Sequence, residues 1–229
     1  MISLIVAVNF FVCIHMFISG TGLRDKLILQ VGEKKYLGIF SVLSLVGLIW
    51  MIFAYSHSPY FELWGQVTGL RWLAAVLILL AFLFVVIGIM TGSPTALGGE
   101  ALLDKEESAT GILRITRHPF LVGTSIWSAT HLVYNGDLAA VIFFGGFLAL
   151  SLFGMKSIDN KQRMAYGANW QRFEQQTSGL PFLAILQGRN RFSFIEIGIW
   201  RTAAALLAYV IVLKLHAGLF GVSVISTAP

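Results

Sequence analysis

Long apolar runs separated by short polar segments recur along this chain. Several of the runs approach the roughly 20 residues that a helix needs to cross a 30 Å hydrocarbon core. The pattern predicts six crossings, at Ile2–Ser19, Leu37–Tyr55, Trp72–Met90, Pro119–Tyr134, Leu138–Met155 and Thr202–Val224. We therefore expect an all-α membrane protein whose residues 1–229 form a single transmembrane domain.

The fourth predicted crossing is the most polar of the set. Its hydroxyl and imidazole side chains are Thr124, Ser125, Ser128, Thr130 and His131. Polar groups at membrane depth are tolerated where they face neighbouring helices or a cavity. We therefore expect this segment to be an inner helix.

Composition and charge support the membrane interpretation. Hydrophobic residues make up 57% of the chain and charged residues only 12%, whereas soluble domains contain about 25% charged residues. Basic residues concentrate in alternate loops, and positive charge is retained on the cytoplasmic side. This distribution predicts a multi-pass protein of the cell inner (cytoplasmic) membrane with its N-terminus outside. The retention of positive charge inside explains the net charge of +5. We therefore expect membrane lipids as partners and no nucleic acid.

The segment after the fifth crossing is predicted to be an amphipathic helix. Met164, Trp170 and Phe173 are interspersed with arginines, a mixture that is typical of helices lying in the membrane interface. Gly179 and Pro181 are expected to end this helix.

Two histidines fall inside predicted crossings, where an ionisable side chain is costly and needs a partner. His15 has Phe11 and Ser19 one helical turn away on the same face. A hydrogen bond to Ser19 and a role in ligand binding both explain it. His131 shares a stripe with Trp127 and several hydroxyl side chains, which resembles the lining of a pocket.

The start of the fourth crossing carries a second group of candidate residues. His118 lies there beside Arg114 and Arg117. Contact with anionic lipid headgroups and the retention of positive charge inside both account for such a group. His57 and His216 are interpreted as surface or interface residues.

The sequence contains no H-E-x-x-H zinc motif, nucleophile elbow, Walker loop or dinucleotide fingerprint. Cys13 is the only cysteine, which excludes a multi-cysteine metal site. Intramembrane imidazoles with few acidic companions suit haem, because haem iron accepts one or two histidines and needs an apolar pocket.

Four stretches resemble the NnrU family in the same order: "HMFISGTGLR", "ATGILRITRHPFLVGTSIWSATHLVYNGDLA", "SIDNKQ" and "YGANWQRFEQQTSGLPFLAILQGR". The family consists of multi-pass membrane proteins and includes zeta-carotene isomerases. Its isomerase branch implies a haem b enzyme that isomerises a double bond of a polyene, an apolar conjugated lipid. Its bacterial branch implies a denitrification-associated redox accessory role.

The resemblance also implies a pair of iron ligands. By motif, the candidate ligand histidines of the isomerase branch fall on His15 and His131. A change in the oxidation state of the iron would release one imidazole and open a coordination position for the polyene. His118 is the alternative partner of His15, because His15 and His131 differ by about 8 to 10 Å in predicted depth.

A haem between the first and fourth crossings would need cations for its two propionates at the cytoplasmic edge. Arg114 and Arg117 are the nearest candidates, since arginine pairs with carboxylates in bidentate geometry. Ordinary positive-inside charge explains the same two residues equally well.

Two alternative functions remain open. The stretches "RHPFLVG" and "YGANWQRFEQQTSGLPF" also resemble membrane methyltransferases of the isoprenylcysteine and phospholipid type. Those enzymes bind S-adenosylmethionine near the Arg-His-Pro and use an acidic pair, of which only Asp159 is present here. The second alternative is a non-enzymatic partner of a respiratory membrane complex.

Overall fold

The computed structural model describes residues 1–96, 98–105, 107–222 and 224, and within them the chain is helical. The α-helices are α1 (Ile2–Cys13), α2 (Leu23–Val31), α3 (Glu33–Ser56), α4 (Arg71–Thr91), α5 (Pro119–Asn135), α6 (Leu138–Gln176), α7 (Leu183–Leu186), α8 (Phe194–Ile197) and α9 (Ile199–Phe220). A π-helical turn, Ile14–Ser19, continues α1. Short 3₁₀ segments occupy Thr68–Leu70, Glu100–Asp104 and Gly111–Arg114.

Five of the described helical segments are long and apolar enough to cross a membrane. They are Ile2–Ser19, Glu33–Ser56, Arg71–Thr91, Leu138–Gln176 and Ile199–Phe220. At most 28% of the residues in each apolar window are buried inside the protein. The predicted all-α membrane fold is therefore confirmed.

The fourth predicted crossing is a helix, α5, but it is not among these five segments. Its 17 residues rise about 25 Å, less than the hydrocarbon thickness of about 30 Å. The sixth predicted crossing corresponds to α9, which ends at Phe220, while Ser223 within the predicted range lies outside the described residues.

The chain divides into two compact units. The first unit contains Met1–Val67 and His131–Gly154, and the second contains Thr68–Thr130 together with the chain from Met155 onward. The single domain expected for residues 1–229 stays a prediction. Each unit is described by itself.

In the first unit, α1 packs closely on α3 and on the beginning of α6, and two glycines make this approach possible. A Cβ atom at Gly47 would lie 3.1 Å from the Phe10 ring. A Cβ atom at Gly146 would lie 2.5 Å from a methyl group of Val8. Small residues at such positions let membrane helices come close enough for extensive van der Waals contact.

Two contacts fix the direction of α3 relative to α1. The Trp50 indole N–H donates to the Ser3 hydroxyl at 3.1 Å, and the His15 ring lies 5.1 Å from the Phe40 ring. The beginning of α1 therefore lies beside the end of α3, and the two helices are antiparallel.

The second unit has its apolar core between α4, α5, α9 and the turns that precede α5 and α9. The buried core residues are Phe84, Ile87, Ile112, Ile115, Val122, Ile197 and Ala205. A Cβ atom at Gly123 of α5 would lie 2.8 Å from the Ala81 carbonyl oxygen of α4, so this contact requires glycine.

Helix α6 is longer than the fifth predicted crossing and continues to Gln176, with a kink at Gly167 (φ 47°, ψ −116°). Two of its aromatic side chains, expected in the membrane interface, are instead fully buried in the protein. Trp170 and Phe173 pack against Leu103, Ala109 and Leu113. Met164, by contrast, is 81% exposed.

We predict that Gly146→Ala lowers the free energy of unfolding by about 1 to 3 kcal/mol, because its new methyl group would overlap the buried, β-branched Val8 side chain. Gly145→Ala is the matched control, since a Cβ atom there would meet only Leu132 at an ordinary 3.8 Å. The control is expected to gain up to about 1 kcal/mol from helix propensity. Thermal unfolding of both detergent-solubilised variants measures the difference, and equal stabilities would contradict the packing argument.

Candidate functional site

His15 lies in the π-helical turn Ile14–Ser19, the only such turn among the described residues. A π-helical turn widens the helix locally and occurs often at functional sites. The turn carries the imidazole to the side of α3 where Phe40 lies.

The hydrogen bond of His15 determines which ring nitrogen is free to bind a ligand. Its Nδ1 lies 2.7 Å from the Phe11 carbonyl oxygen. A carbonyl oxygen only accepts, so Nδ1 carries the proton and donates it, and Nε2 of the neutral ring carries the lone pair. Metal-binding histidines are typically held in this way, with one ring nitrogen donating to a backbone carbonyl or a carboxylate.

His131 lies in the same unit as His15, and a cluster of phenylalanines connects them. The His131 ring stacks on Phe144 with centroids 4.9 Å apart. The contacts continue from Phe144 to Phe143 (5.0 Å), from Phe143 to Phe147 (5.3 Å) and from Phe147 to Phe11 (5.7 Å). Phe11 lies 4.3 Å from His15. These four phenylalanines and Phe40 are called the aromatic cluster below.

The two imidazoles contact different levels of the aromatic cluster. Phe11 precedes His15 by four residues on α1 and its π-helical turn, and Phe144 precedes Phe147 by three residues on α6. The end of α3 lies beside the beginning of α1 and, through Tyr55, beside Phe143 near the beginning of α6, so α1 and α6 run in the same direction. At 1.5 Å per residue, Phe144 therefore lies about 10 Å from the level of His15 along the helices. Two histidines that bind one iron would therefore have to reach it from positions about 10 Å apart along the helices.

The hydroxyl stripe that precedes His131 is satisfied within α5. The side chains of Thr124, Ser125, Ser128 and Thr130 donate to carbonyl oxygens four residues earlier, at 2.7 to 2.9 Å. Back-bonding of this kind satisfies hydroxyl groups on apolar helices. The predicted role of this stripe as a pocket lining stays a prediction.

Arg117, His118 and Asp159 form a buried ionic cluster in the second unit. Arg117 donates from Nε to both Asp159 oxygens at 3.1 Å and from a terminal nitrogen at 2.6 Å. The His118 Nε2 donates to Asp159 at 2.7 Å. The side chains of His118 and Arg117 are 0% and 11% exposed. Glu174 adds a longer contact to Arg117, at 3.5 Å.

Arg114 is the centre of a second ionic cluster in this unit. Its guanidinium donates to Glu196 at 2.7 Å, to Glu107 at 2.5 Å and to the Asn190 side chain at 2.7 Å. Glu196 also accepts a hydrogen bond from the Gly111 backbone N–H at 3.0 Å. The hydrogen bond from Arg114 lowers the pKa of Glu196 to about 2.

The predicted site residues are thus divided between the two units. His15 and His131 belong to the first unit, whereas Arg114, Arg117 and His118 belong to the second. Both arginines are bound by carboxylates of the protein. The assignment of these arginines to haem propionates stays a prediction, as does the choice between His131 and His118 as the partner of His15.

Sequence reasoning missed the carboxylate partners of Arg114. One signal was present, because Glu196 is the only acidic residue after Glu174. A single acid in a long apolar and basic segment is expected to pair with a cation. His57 is exposed, as expected from the sequence.

The fold and the aromatic cluster define an integral membrane protein of all-α type with imidazoles among its apolar side chains. Comparison with known families assigns it further. The model of the family described as "NnrU protein" matches residues 3–224, and the chain therefore belongs to the NnrU family.

Two curated relatives are both named 15-cis-zeta-carotene isomerase, chloroplastic. The protein from Zea mays is 32% identical over 168 residues, covering 70% of this chain and 44% of the relative. The protein from Arabidopsis thaliana is 28% identical over 197 residues, covering 82% of this chain and 52% of the relative. The chain thus spans about half the length of these relatives. No solved structure matches it.

We predict that Asp159→Asn lowers the free energy of unfolding by about 3 to 5 kcal/mol, because a neutral amide would remove the carboxylate that makes the short contacts with the buried Arg117 and His118. Glu174→Gln is the control, since Glu174 lies 3.5 Å from Arg117 and makes its shorter contact with the 43% exposed Arg163. The control is expected to cost less than about 1 kcal/mol. Thermal unfolding measures both, and similar losses would contradict the central role of Asp159.

The low pKa of Glu196 predicts a dependence of stability on pH. The folded value of about 2 lies below the ordinary 4.5, so the contribution is fully present above pH 4.5 and is lost as the pH falls toward 2. Glu196→Gln should be less stable than the wild type at pH 7, and the difference should shrink between pH 5 and 3. Unfolding temperatures measured across this interval test the expectation, which a constant difference would contradict.

Proposed function

We propose that this protein binds haem b in its first unit and acts as an isomerase on a double bond of an apolar conjugated lipid. The observation that carries the proposal is the state of His15. Its Nδ1 is held by the Phe11 carbonyl at 2.7 Å, and Nε2 is thereby prepared to bind iron among aromatic side chains. The names of the two relatives support the choice of reaction and of substrate class.

The donor set fits haem by its chemistry. The described residues contain no group of three or more His, Cys, Asp or Glu side chains that could hold a bare metal ion. A porphyrin brings four equatorial nitrogens of its own and needs only one or two axial ligands from the protein. His15 and His131 are the histidines that contact the aromatic cluster. In our proposal they supply these ligands after a tilt or shift of α1 or α5 brings the two imidazoles to one level.

The protein residues have separable tasks in this proposal. The Phe11 carbonyl fixes the tautomer of His15, and Phe40 packs against its ring edge-on at 5.1 Å. Phe143, Phe144 and Phe147 offer flat apolar faces to a conjugated chain and exclude water from it. Bound haem would supply a redox-active iron.

The lipid substrate is inferred from two sources. The apolar helices give a hydrophobic molecule direct access from the bilayer. Both relatives are named for isomerisation of a cis double bond in a carotene. We propose a conjugated polyene as the substrate class and propose the orientation with the N-terminus outside from the distribution of basic residues.

The alternatives have less support in the described residues. The methyltransferase alternative calls for an acidic pair near Arg117 and His118; Asp159 and Glu174 both lie there, but they are engaged in ion pairs with Arg117, His118 and Arg163. A redox accessory of a respiratory complex shares the haem proposal and differs in its partner. Copurification with a reductase, with unchanged polyene isomers in a deletion strain, would favour that accessory role over catalysis.

We predict that the purified wild-type protein shows a Soret band and that His15→Ala and His131→Ala each reduce the haem content at least about tenfold. The reason is that loss of an axial imidazole removes a direct bond to iron. Absorbance spectra of protein purified from haem-replete cells, normalised to protein concentration, provide the measurement.

His57→Ala serves as the control, because His57 is exposed and lies outside the aromatic cluster; its haem content should equal that of the wild type. A colourless wild-type protein, or full haem content in both His15→Ala and His131→Ala, would overturn the proposed function. Measurable binding of S-adenosylmethionine that His118→Ala abolishes would favour the methyltransferase instead.

A further inference from the structure

We infer that Arg24 and Tyr36 form the carboxylate-binding end of the haem site, where they receive the haem propionates beside His15. The inference rests on the proposed function and adds the residues that recognise the acidic edge of the ring. It differs from the expectation for Arg114 and Arg117, whose guanidinium groups are bound by carboxylates of the second unit.

Tyr36 provides the first observation. The residue is only 6% exposed, and its buried hydroxyl has no hydrogen-bond partner among the described residues. Buried polar groups in proteins are almost always paired, so an unpaired hydroxyl indicates a partner of another kind. A phenolic O–H is a good donor to a carboxylate oxygen.

The position of Tyr36 links this hydroxyl to the haem site. Its ring stacks on Phe40 with centroids 5.9 Å apart and an interplanar angle of 19°. Phe40 in turn meets the His15 ring edge-on at 5.1 Å. A single aromatic ring therefore separates Tyr36 from the imidazole that we propose as an iron ligand.

Arg24 provides the cation. Its guanidinium carbon lies 6.0 Å from the centroid of the Tyr36 ring, a distance typical of cation–π contacts. Its ion pair is with its chain neighbour Asp25 at 3.4 Å, and the Asp25 side chain is 69% exposed. An exposed pair of this kind contributes little, so Arg24 retains the capacity to bind a second carboxylate.

These features together define the chemistry of the ligand. The aromatic cluster suits a flat apolar ring, His15 suits a metal at its centre, and Arg24 with Tyr36 suits an acid group at its edge. Arg24 lies near the beginning of α2, in the polar segment that joins α1 to α3, and Tyr36 lies near the beginning of α3. An acid group there reaches the end of the apolar helices and need not be buried in hydrocarbon.

The test compares haem with haem dimethyl ester, which has the same ring and iron but no free carboxylate. Each compound is titrated into the full-length protein purified without haem, and dissociation constants are read from the Soret absorbance. The wild type is expected to bind free haem at least about tenfold more tightly than the ester. In Arg24→Gln and in Tyr36→Phe this preference should fall several-fold, and in the double variant it should approach one.

Binding of the ester separates recognition from structural damage. If Arg24 and Tyr36 act on the carboxylates, the variants bind the ester as tightly as the wild type does; damage to the site would weaken both compounds equally and would overturn the inference. Lys26→Gln removes the same charge from an exposed position of α2 and should leave the preference intact.

The failures of the two proposals are distinguishable. A wild type that binds neither compound refutes haem binding and this inference with it. A wild type that binds both, with a preference unaffected by the Arg24 and Tyr36 variants, refutes this inference alone. Loss of the preference in Arg117→Lys but not in Arg24→Gln would assign the carboxylates to the second unit and would likewise refute it.

Discussion

A polar side chain surrounded by apolar helices must find its partner inside the protein, and this constraint governs the candidate site. His15 meets it by donating Nδ1–H to the Phe11 carbonyl at 2.7 Å. Because that bond uses one ring nitrogen, the other nitrogen retains its lone pair. The same bond satisfies the membrane constraint and leaves on Nε2 the lone pair that our haem proposal requires.

The two units meet the constraint by different means. In the second unit the buried cations are neutralised by carboxylates, with Arg117 held by Asp159 and Arg114 held by Glu196. In the first unit His15 and His131 lie among phenylalanines, and the Tyr36 hydroxyl has no described partner; in the second unit the buried His118 Nδ1 and Trp170 Nε1 likewise have none among the described residues. Paired charges stabilise local structure, whereas incompletely satisfied groups have the capacity to bind a ligand. We propose a haem site in the first unit because its two imidazoles lie against aromatic side chains.

Much of the architecture could be predicted from local patterns, because an apolar run near 20 residues is a sufficient signal for a membrane helix. His15 and His131 were selected by the same logic, as ionisable residues inside apolar runs, and their role as ligands stays a prediction. The burial of Trp170 and Phe173 was not predictable in this way. Their partners Leu103 and Leu113 lie in 3₁₀ segments without hydrophobic periodicity.

Long-range pairing was the other feature that local patterns did not contain. Arg114 and Glu196 are separated by 82 residues, and no periodicity connects them. The fourth predicted crossing shows a related limit, because its hydroxyl groups are satisfied by its own backbone and give no information about neighbours. The sequence therefore identified candidate side chains better than it identified their partners.

The proposed function depends above all on His15 and His131 binding the iron of a haem in the first unit. Electron paramagnetic resonance of the oxidised, purified wild-type protein tests it most directly, because the spectrum of ferric haem reports its axial ligands. We expect a low-spin spectrum typical of two imidazole ligands. A high-spin, five-coordinate spectrum or a spectrum typical of cysteine or methionine ligation would contradict it.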